Sequence, residues 1–424
     1  MSPQDPSHRS SQPAAAPVRR RPRLVRLAFW SLLLALLALE GILRLGWVPG
    51  YQPDQLRPTL ESLQAKAMSE GHPYLAYALK PNRVETGGTS YKRATHNAAG
   101  YRGPLVEIPK PEGVYRVLCL GGSSTHGTTP NTDETTWPAR LQAHLREQAG
   151  TDRIEVLNFG VFGYSTFESL VNLAFRGVDY QPDLVLVYHT INDMRCALYN
   201  MGGPIQRDNT HWRAIWPVVM PSPAETVLEK SLVYCALRKR FTHYLDRFTK
   251  LDAFAIVNYD PSAPDPYSGE VHDQGFENFR RNLRSIASVA RGVGANVMFI
   301  TQGCDRQDMG AGSKQLQWDA MDRMGDILRE SAHELGAGFC DARPVLEDAF
   351  ARVSPEVQAL EAESQMLLRS KDSPEDQARG LELWMRFSRE GIFTGEVHLT
   401  DHGADLLAST VAKTIFAAGY LQPQ

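Results

Sequence analysis

The sequence predicts a three-layer α/β/α domain on a five-stranded parallel β-sheet, preceded by an N-terminal transmembrane helix. Apolar runs typical of buried strands alternate along the chain with amphipathic helical stripes, which is typical of a parallel sheet covered on both faces. The run "DLVLVYHT" (183–190) is apolar almost throughout, as a central parallel strand should be. An uncharged apolar stretch extends from Leu27 to Leu39 near the N-terminus.

The composition is that of an ordinary globular protein and excludes several classes. The chain has 424 residues, of which 42% are hydrophobic and 22% charged. A net charge of −3 argues against a nucleic-acid-binding protein, which normally carries a basic surplus. The five cysteines show no CxxC pairing, so neither a zinc site nor a dense disulfide framework is indicated. We expect no metal and no cofactor.

The N-terminal region predicts a membrane anchor. Residues 1–23 are rich in Pro, Ser, Ala and Arg and are predicted to be a disordered cytoplasmic tail. Residues 24–47 are long enough to span a bilayer, and Glu40 and Arg44 inside this stretch are four apart, so they share a helix face. A cleaved signal peptide is the alternative, although no small-x-small cleavage site follows the apolar run.

The charges around this stretch predict its orientation. Several arginines precede the span: Arg19, Arg20, Arg21, Arg23 and Arg26. By the positive-inside rule the tail stays in the cytoplasm and the rest of the chain lies outside. We expect a single-pass protein of the bacterial inner membrane whose main domain faces the periplasm.

The main domain is predicted over residues 113–424, after a juxtamembrane lead-in segment of loops and short strands over 48–112. Its five strands are predicted at "YRVLCL" (115–120), "IEVLNF" (154–159), "DLVLVYHT" (183–190), "NVMFIT" (296–301) and "GAGFCDA" (336–342). Apolar stripes predict helices around Trp137–Leu145, Phe276–Ala290 and Trp318–Leu335, and a last helix begins near Asp401.

Two stretches interrupt this alternation and are predicted to be insertions. Residues 200–272 are rich in aromatic residues and proline without a clean period, and residues 352–390 look helical and highly charged. Open α/β sheets bind ligands beyond the carboxyl ends of their strands, so these insertions are candidates for shaping a pocket there. Simple helical decoration is the alternative.

A cluster of small residues, "GGSSTHG", follows the first predicted strand. It has no lysine, as a Walker-type phosphate loop would require, and its glycines are misplaced for a dinucleotide loop. The remaining functional interpretation is a nucleophile, Ser123, held where a strand ends and a helix begins, with its own N–H available to an oxyanion. A serine that only caps the helix is the alternative.

Three further residues lie at comparable places. Gly163 in "NFGVFGYST" and Asn192 in "YHTINDMR" follow the second and third strands, and His398 in "EVHLTDHGADLLA" precedes the last helix. A serine, a backbone N–H, a side-chain amide and a histidine are the nucleophile, oxyanion donors and base that acyl transfer needs.

These blocks together resemble the SGNH (GDSL-type) hydrolase family over roughly residues 113–420. The form G-G-S-[ST]-T-x-G resembles a membrane-tethered branch, as do "LKPN" at 79–82 and "N..GYRG" at 97–103. The resemblance implies a flavodoxin-like fold with Ser123 as nucleophile and His398 as base. It also implies an oxyanion hole of Ser123, Gly163 and Asn192.

The chain departs from the family pattern at three positions. Gly122 replaces the usual aspartate of the first block, and Thr190 replaces a glycine of the third. Gly395 stands three residues before His398, where the family's triad aspartate sits. We therefore predict a Ser–His dyad whose third member is uncertain, with Glu396 and Asp401 as candidates.

The function predicted is that of a serine esterase that removes acyl groups from an ester-bearing envelope glycan or lipid. Its partners would be an acylated small molecule, glycan or lipid and, through the anchor, the membrane, with no nucleic acid. The alternatives are an O-acyltransferase and a non-catalytic, glycan-binding or scaffold protein of the envelope. A metal hydrolase using His398 and His402 is disfavoured, because Leu399 stands where zincin chemistry needs Glu.

Overall fold

The computed structural model describes residues 21–51, 69–86, 93–128, 132–198, 272–306, 314–369 and 373–422 except 71, 73 and 76, together with residues 53, 209, 223–228, 230–237 and 240. Most of the predicted cytoplasmic tail and most of the predicted insertion at 200–272 lie outside the described residues. The described residues fall into two compact units. Those before 63 and between 222 and 245 form the smaller unit, and the others form the larger one.

The larger unit contains the predicted five-stranded parallel sheet. Two short antiparallel pairs precede it, namely β1 (Ser69–Glu70) with β2 (Ala78–Leu79) and β3 (Val84–Thr86) with β4 (Arg93–Thr95). The sheet strands are β5 (Tyr115–Gly121), β6 (Ile154–Gly160), β7 (Leu184–Tyr188), β8 (Asn296–Ile300) and β9 (Gly338–Cys340). Their order is β6-β5-β7-β8-β9, and every neighbouring pair is parallel.

The main α-helices of the described residues follow in chain order. They are α1 (Arg21–Arg44), α2 (Ser123–His126), α3 (Trp137–Ala149), α4 (Thr166–Asn172), α5 (Ile191–Leu198), α6 (Pro223–Leu228), α7 (Asp273–Gly292), α8 (Lys314–Leu335), α9 (Arg343–Ala351), α10 (Pro355–Arg369), α11 (Pro374–Glu390) and α12 (Asp401–Ala417). A last antiparallel pair, β10 (Phe393–Thr394) and β11 (His398–Leu399), lies between α11 and α12.

The three layers follow from the twofold period of the strands. Alternate side chains of β5 enter two separate cores, Leu118 and Leu120 on one face and Val117 and Cys119 on the other. The first core contains the apolar stripes of α7 and α8, and the second contains those of α3 and α12. The predicted three-layer α/β/α fold with a parallel sheet is thereby confirmed.

Part of the segment predicted as a lead-in packs onto the sheet. The ring of Tyr101 stacks on Phe159 of β6 with 3.7 Å between centroids, and its hydroxyl donates to Asn172 Oδ1 at 3.1 Å. The next residue, Arg102, forms a β-bridge to Asn158 and is buried with its guanidinium paired to Asp133. This part of the segment therefore belongs to the same compact unit as the sheet.

Residues 355–369 and 374–390 form two helices, α10 and α11. Their contact is apolar and includes Val357 and Leu360 on α10 and Trp384 and Phe387 on α11. Thr394 of β10, which pairs with His398, donates its hydroxyl proton to Glu361 of α10. The helix pair is thus joined directly to the strand pair that carries His398.

The smaller unit is built on α1. Val25–Arg44 forms a 20-residue helix with a mean hydropathy of 1.9, long and apolar enough to cross a membrane. Within it, Glu40 accepts hydrogen bonds from Ser231 Oγ at 2.9 Å, Leu232 N at 3.1 Å and Val233 N at 2.9 Å. The same carboxylate pairs with Arg44, as their spacing predicts.

We expect Tyr101→Ala to destabilise the larger unit by about 3–5 kcal/mol, because it removes a buried aromatic ring and leaves a cavity against β6. Tyr101→Phe keeps the ring stacking and loses one hydrogen bond, so it should cost only about 1 kcal/mol. Urea unfolding of the two variants measures both values. Equal, small losses would contradict the packing of this segment in the core.

Candidate active site

Three strand ends lie at one level and place the loops that follow them side by side. Gly121 at the end of β5 is in register with Gly160 of β6 and with Tyr188 of β7. A Cβ added at Gly121 would lie 1.9 Å from Thr125 Oγ1, and one added at Gly160 would lie 2.2 Å from the His126 nitrogen. The two glycines therefore allow α2, which begins with Ser123, to pack directly on the strand ends.

The structure brings Ser123 and His398 together. The Nε2 atom of His398 lies 2.9 Å from the Ser123 hydroxyl oxygen, which is hydrogen-bonding distance. His398 is held on β11, and Thr400 ends that strand by capping α12, accepting from Gly403 N at 3.0 Å. The histidine thus stands immediately before a capped helix, and the serine begins another helix.

The presence of glycine at position 395, in the turn between β10 and β11, has a structural explanation. Its φ is +58°, in the left-handed region that favours glycine over other residues. Glu396 directs its carboxylate to Arg195, and Asp401 begins α12 with its N–H bonded to Ser388 Oγ at 3.2 Å. The assignment of Glu396 or Asp401 as third member stays a prediction.

Asn192 and Gly163 lie close to the loop that carries Ser123. The Asn192 amide donates to the Tyr164 carbonyl at 2.9 Å, and Gly163, with a φ of +71°, precedes that tyrosine in the turn after β6. A Cβ on Gly122 would lie 2.8 Å from Asn192 Nδ2 and 3.2 Å from the Tyr164 carbonyl oxygen. A glycine beside Ser123 therefore makes room for the Asn192 amide.

The structure also reveals a polar residue that the sequence analysis did not single out. Gln302, just after β8, donates to Ser124 Oγ at 3.1 Å and accepts from Ile191 N at 3.0 Å. Ser124 in turn donates to the Val397 carbonyl at 2.9 Å. The available signal was the polar residue at the carboxyl end of a parallel strand, where ligand sites form.

Burial determines the charge state of His126, the last residue of α2. His126 is buried and its Nε2 lies 3.1 Å from His96 Nε2. Burial, with the nearby Arg102 guanidinium and His96, lowers the pKa of His126 well below its usual value. Burial likewise lowers the pKa of His96 to about 4, so both imidazoles are neutral at neutral pH.

The buried carboxylate of Asp193 connects the segments that follow β6 and β7. Asp193 accepts from Thr166 N at 2.9 Å, Thr166 Oγ1 at 2.6 Å and Asn209 Nδ2 at 3.1 Å. Burial raises the pKa of Asp193 to about 7 against the opposing effect of these donors. Asp193 therefore fixes the start of α4 against α5, the helix that carries Asn192.

The two histidines considered for a metal, His398 and His402, differ in their exposure to solvent. His402 is exposed on the first turn of α12, whereas His398 is partly buried on β11. Across the described residues, no three His, Cys, Asp or Glu side chains are placed to hold a metal ion together.

Comparison with known proteins agrees with the fold. Residues 119–359, more than half of the 424-residue chain, match the GDSL-like lipase/acylhydrolase family. The chain belongs to this family. No curated protein matches it significantly.

Two solved structures similar to this GDSL-like chain are both described as enzymes. One is a catalytic mutant of Axe2, an acetylxylan esterase from Geobacillus stearothermophilus, at 12% identity and a TM-score of 0.39, covering 72% of this chain and 96% of that one. The other is LAE5, an alpha/beta hydrolase enzyme from the metagenome of Lake Arreo, Spain, at 13% identity and a TM-score of 0.38, covering 73% and 96%.

We expect Gly122→Asp, which restores the residue usual in the family, to lower kcat for ester hydrolysis about 10²-fold. The new Cβ would displace the Asn192 amide, the predicted oxyanion donor, and loss of one such donor typically costs about this much. Gly292→Asp at the open end of α7, where a Cβ would meet nothing within 4 Å, is the control. Steady-state kinetics on a nitrophenyl ester measure both, and wild-type kcat in Gly122→Asp would contradict the account of this glycine.

Proposed function

We propose that the protein is a serine esterase that works through an acyl-enzyme on Ser123, with His398 as general base. The observation that supports this most is the 2.9 Å contact between the Ser123 hydroxyl oxygen and His398 Nε2. A hydroxyl is a weak nucleophile until an adjacent base accepts its proton. The family match ends before His398, so the role of the histidine rests on this geometry.

The reaction proceeds in two displacements at one carbonyl carbon. His398 Nε2 takes the hydroxyl proton while Ser123 Oγ bonds to the carbonyl carbon, and the C=O electron pair moves onto oxygen. When that pair returns, the ester C–O bond breaks and the leaving alcohol takes the proton from His398. Water, losing a proton to His398, then attacks the acyl-enzyme, and Ser123 leaves and is reprotonated.

The oxyanion would be held by N–H groups of the neighbouring loops. These are the backbone N–H groups of Ser123 and Gly163 and the side-chain amide of Asn192. Asn192 uses one of its two amide protons on the Tyr164 carbonyl, which orients the other. Since such donors are fixed before reaction, each contributes about 3–4 kcal/mol to stabilising the transition state.

We further propose that α1 remains attached as a single-pass membrane anchor with the larger unit outside the cytoplasm. A charged carboxylate within an apolar span is costly unless it is paired and hydrogen-bonded. Glu40 meets that condition with donors from residues 231–233, and Leu43 packs against Leu232 and Val233. Removal of α1 as a signal peptide would leave those donors without this acceptor.

This location suggests the substrate class. An enzyme tethered outside the inner membrane meets acylated envelope glycans and lipids, and we propose O-acyl groups on these as the substrate.

We expect Ser123→Ala and His398→Ala each to lower kcat for nitrophenyl acetate about 10⁶-fold, because either change removes one half of a unit that acts together. The matched controls are Ser409→Ala and His402→Ala on α12, which should keep wild-type kcat. Activity should also fall on acidification, since only a neutral His398 can accept the proton. Wild-type kcat in Ser123→Ala would refute the esterase mechanism.

We expect the protein extracted from membranes to retain residues 21–44, and to stay with the membranes after an alkaline carbonate wash. Intact-mass measurement of the detergent-extracted chain tests this directly. A mature, soluble chain that begins after residue 44 would instead identify α1 as a cleaved signal peptide.

A further inference from the structure

Gln302 lies at the centre of a buried hydrogen-bonded chain that crosses the site. Its Oε1 accepts from Ile191 N, the first N–H of α5, at 3.0 Å. Its Nε2 donates to Ser124 Oγ at 3.1 Å, and Ser124 donates onward to the Val397 carbonyl at 2.9 Å. Gln302 and Ser124 are only 3% and 5% exposed, so solvent provides no alternative partner.

Three members of this hydrogen-bonded chain are sequence neighbours of functional residues. Ile191 precedes Asn192, Ser124 follows Ser123, and Val397 precedes His398.

The directions of these bonds are consistent with only one orientation of the amide. The Ile191 N–H can only donate, so the oxygen of Gln302 must face it and the NH₂ group must face Ser124. The Ser124 hydroxyl then accepts one bond and donates the other. Reversing the direction of any one of these hydrogen bonds would place two donors or two acceptors together, so the chain has only one hydrogen-bonding pattern.

We propose that Gln302, acting through Ser124, is a positioning residue that holds Ser123, Asn192 and His398 in mutual register. This inference rests on the proposed esterase function. It adds that the loop after β8 contributes a residue that positions the site. The same loop reaches the His398 strand pair a second time, since Asp305 N donates to the Glu396 carbonyl at 2.8 Å. Loss of the Gln302 amide would loosen the Ser123–His398 geometry without removing any group that touches substrate.

The kinetic test begins with Gln302→Leu and Ser124→Ala. Each breaks the chain, so each should lower kcat for nitrophenyl acetate by about 10²-fold, the effect of a misplacement of about 1 Å, with KM little changed. The double variant should be no slower than the slower single variant, because both break the same chain. Two independent, multiplying losses would overturn the proposal.

Gln302→Glu gives a readout that a purely structural role would not move. The neutral carboxylic acid can accept from Ile191 and donate to Ser124 as the amide does, whereas the ionised carboxylate can only accept. The ratio of variant to wild-type kcat should therefore be near one at low pH and fall as pH rises. This trend is opposite to the wild-type dependence on His398, and a ratio at low pH as small as that of Gln302→Leu would overturn the proposal.

The matched control is Thr301→Val, at the adjacent and equally buried position. Thr301 Oγ1 donates to Asp341 Oδ1 at 2.8 Å and accepts from Arg343 N at 3.0 Å, so its hydroxyl serves β9 and α9. The control should lose stability yet keep wild-type kcat. A loss of kcat as large as in Gln302→Leu would reduce Gln302 to an ordinary core residue.

Ser123→Ala, assayed in the same series, separates this inference from the function on which it rests. If Ser123→Ala is inactive and Gln302→Leu has a kcat within twofold of wild type, the positioning role of Gln302 is refuted and the esterase mechanism stands. If Ser123→Ala is active, the esterase mechanism itself is wrong.

Discussion

The hydrogen bond between Ser123 and His398 joins residues 275 positions apart in the chain, and the rest of the larger unit makes that contact possible. The serine is fixed by the end of β5, an inner strand of the sheet, and the histidine by the start of α12 on one face. A 2.9 Å contact tolerates little relative movement of these supports. The two apolar cores on either side of the sheet supply that rigidity, because close-packed interiors deform little.

Small residues at the strand ends allow the loops that carry the site residues to approach one another closely. Gly121 and Gly160 allow α2 to approach the backbone of β5 and β6, and Gly122 leaves space for the Asn192 amide. A left-handed Gly395 tightens the turn before His398. Two of these glycines, Gly122 and Gly395, are departures from the family pattern, and each has a structural reason, space for the Asn192 amide in one case and a left-handed backbone in the other.

The sequence was sufficient for the sheet but not for the whole site. Strand positions could be predicted because a buried parallel strand such as β7 has a local apolar signature. Ser123 and His398 could be proposed because strand ends and helix starts are also local features. Gln302 was not predicted, because a polar residue at the carboxyl end of a strand is a weak signal and its partners, Ile191 and Ser124, come from two distant loops.

Other features depended on contacts that no local pattern encodes. The stacking of Tyr101 on Phe159 joins a Pro- and Gly-rich segment to the sheet, and composition alone predicts only loops and short strands there. The sequence places Glu40 beside Arg44 on one helix face, whereas its role as acceptor for residues 231–233 depends on contacts distant in the chain. The sequence predicted the residues of the candidate site, and the tertiary contacts show which neighbours hold those residues in position.

The most direct measurement of the central claim is covalent capture of the nucleophile. A fluorophosphonate reacts with a serine only where a base and oxyanion donors activate it. We expect one adduct per chain, mapped by peptide mass spectrometry to Ser123 and absent when His398 is replaced by alanine. An unmodified Ser123, or an adduct carried by a different residue, would contradict it.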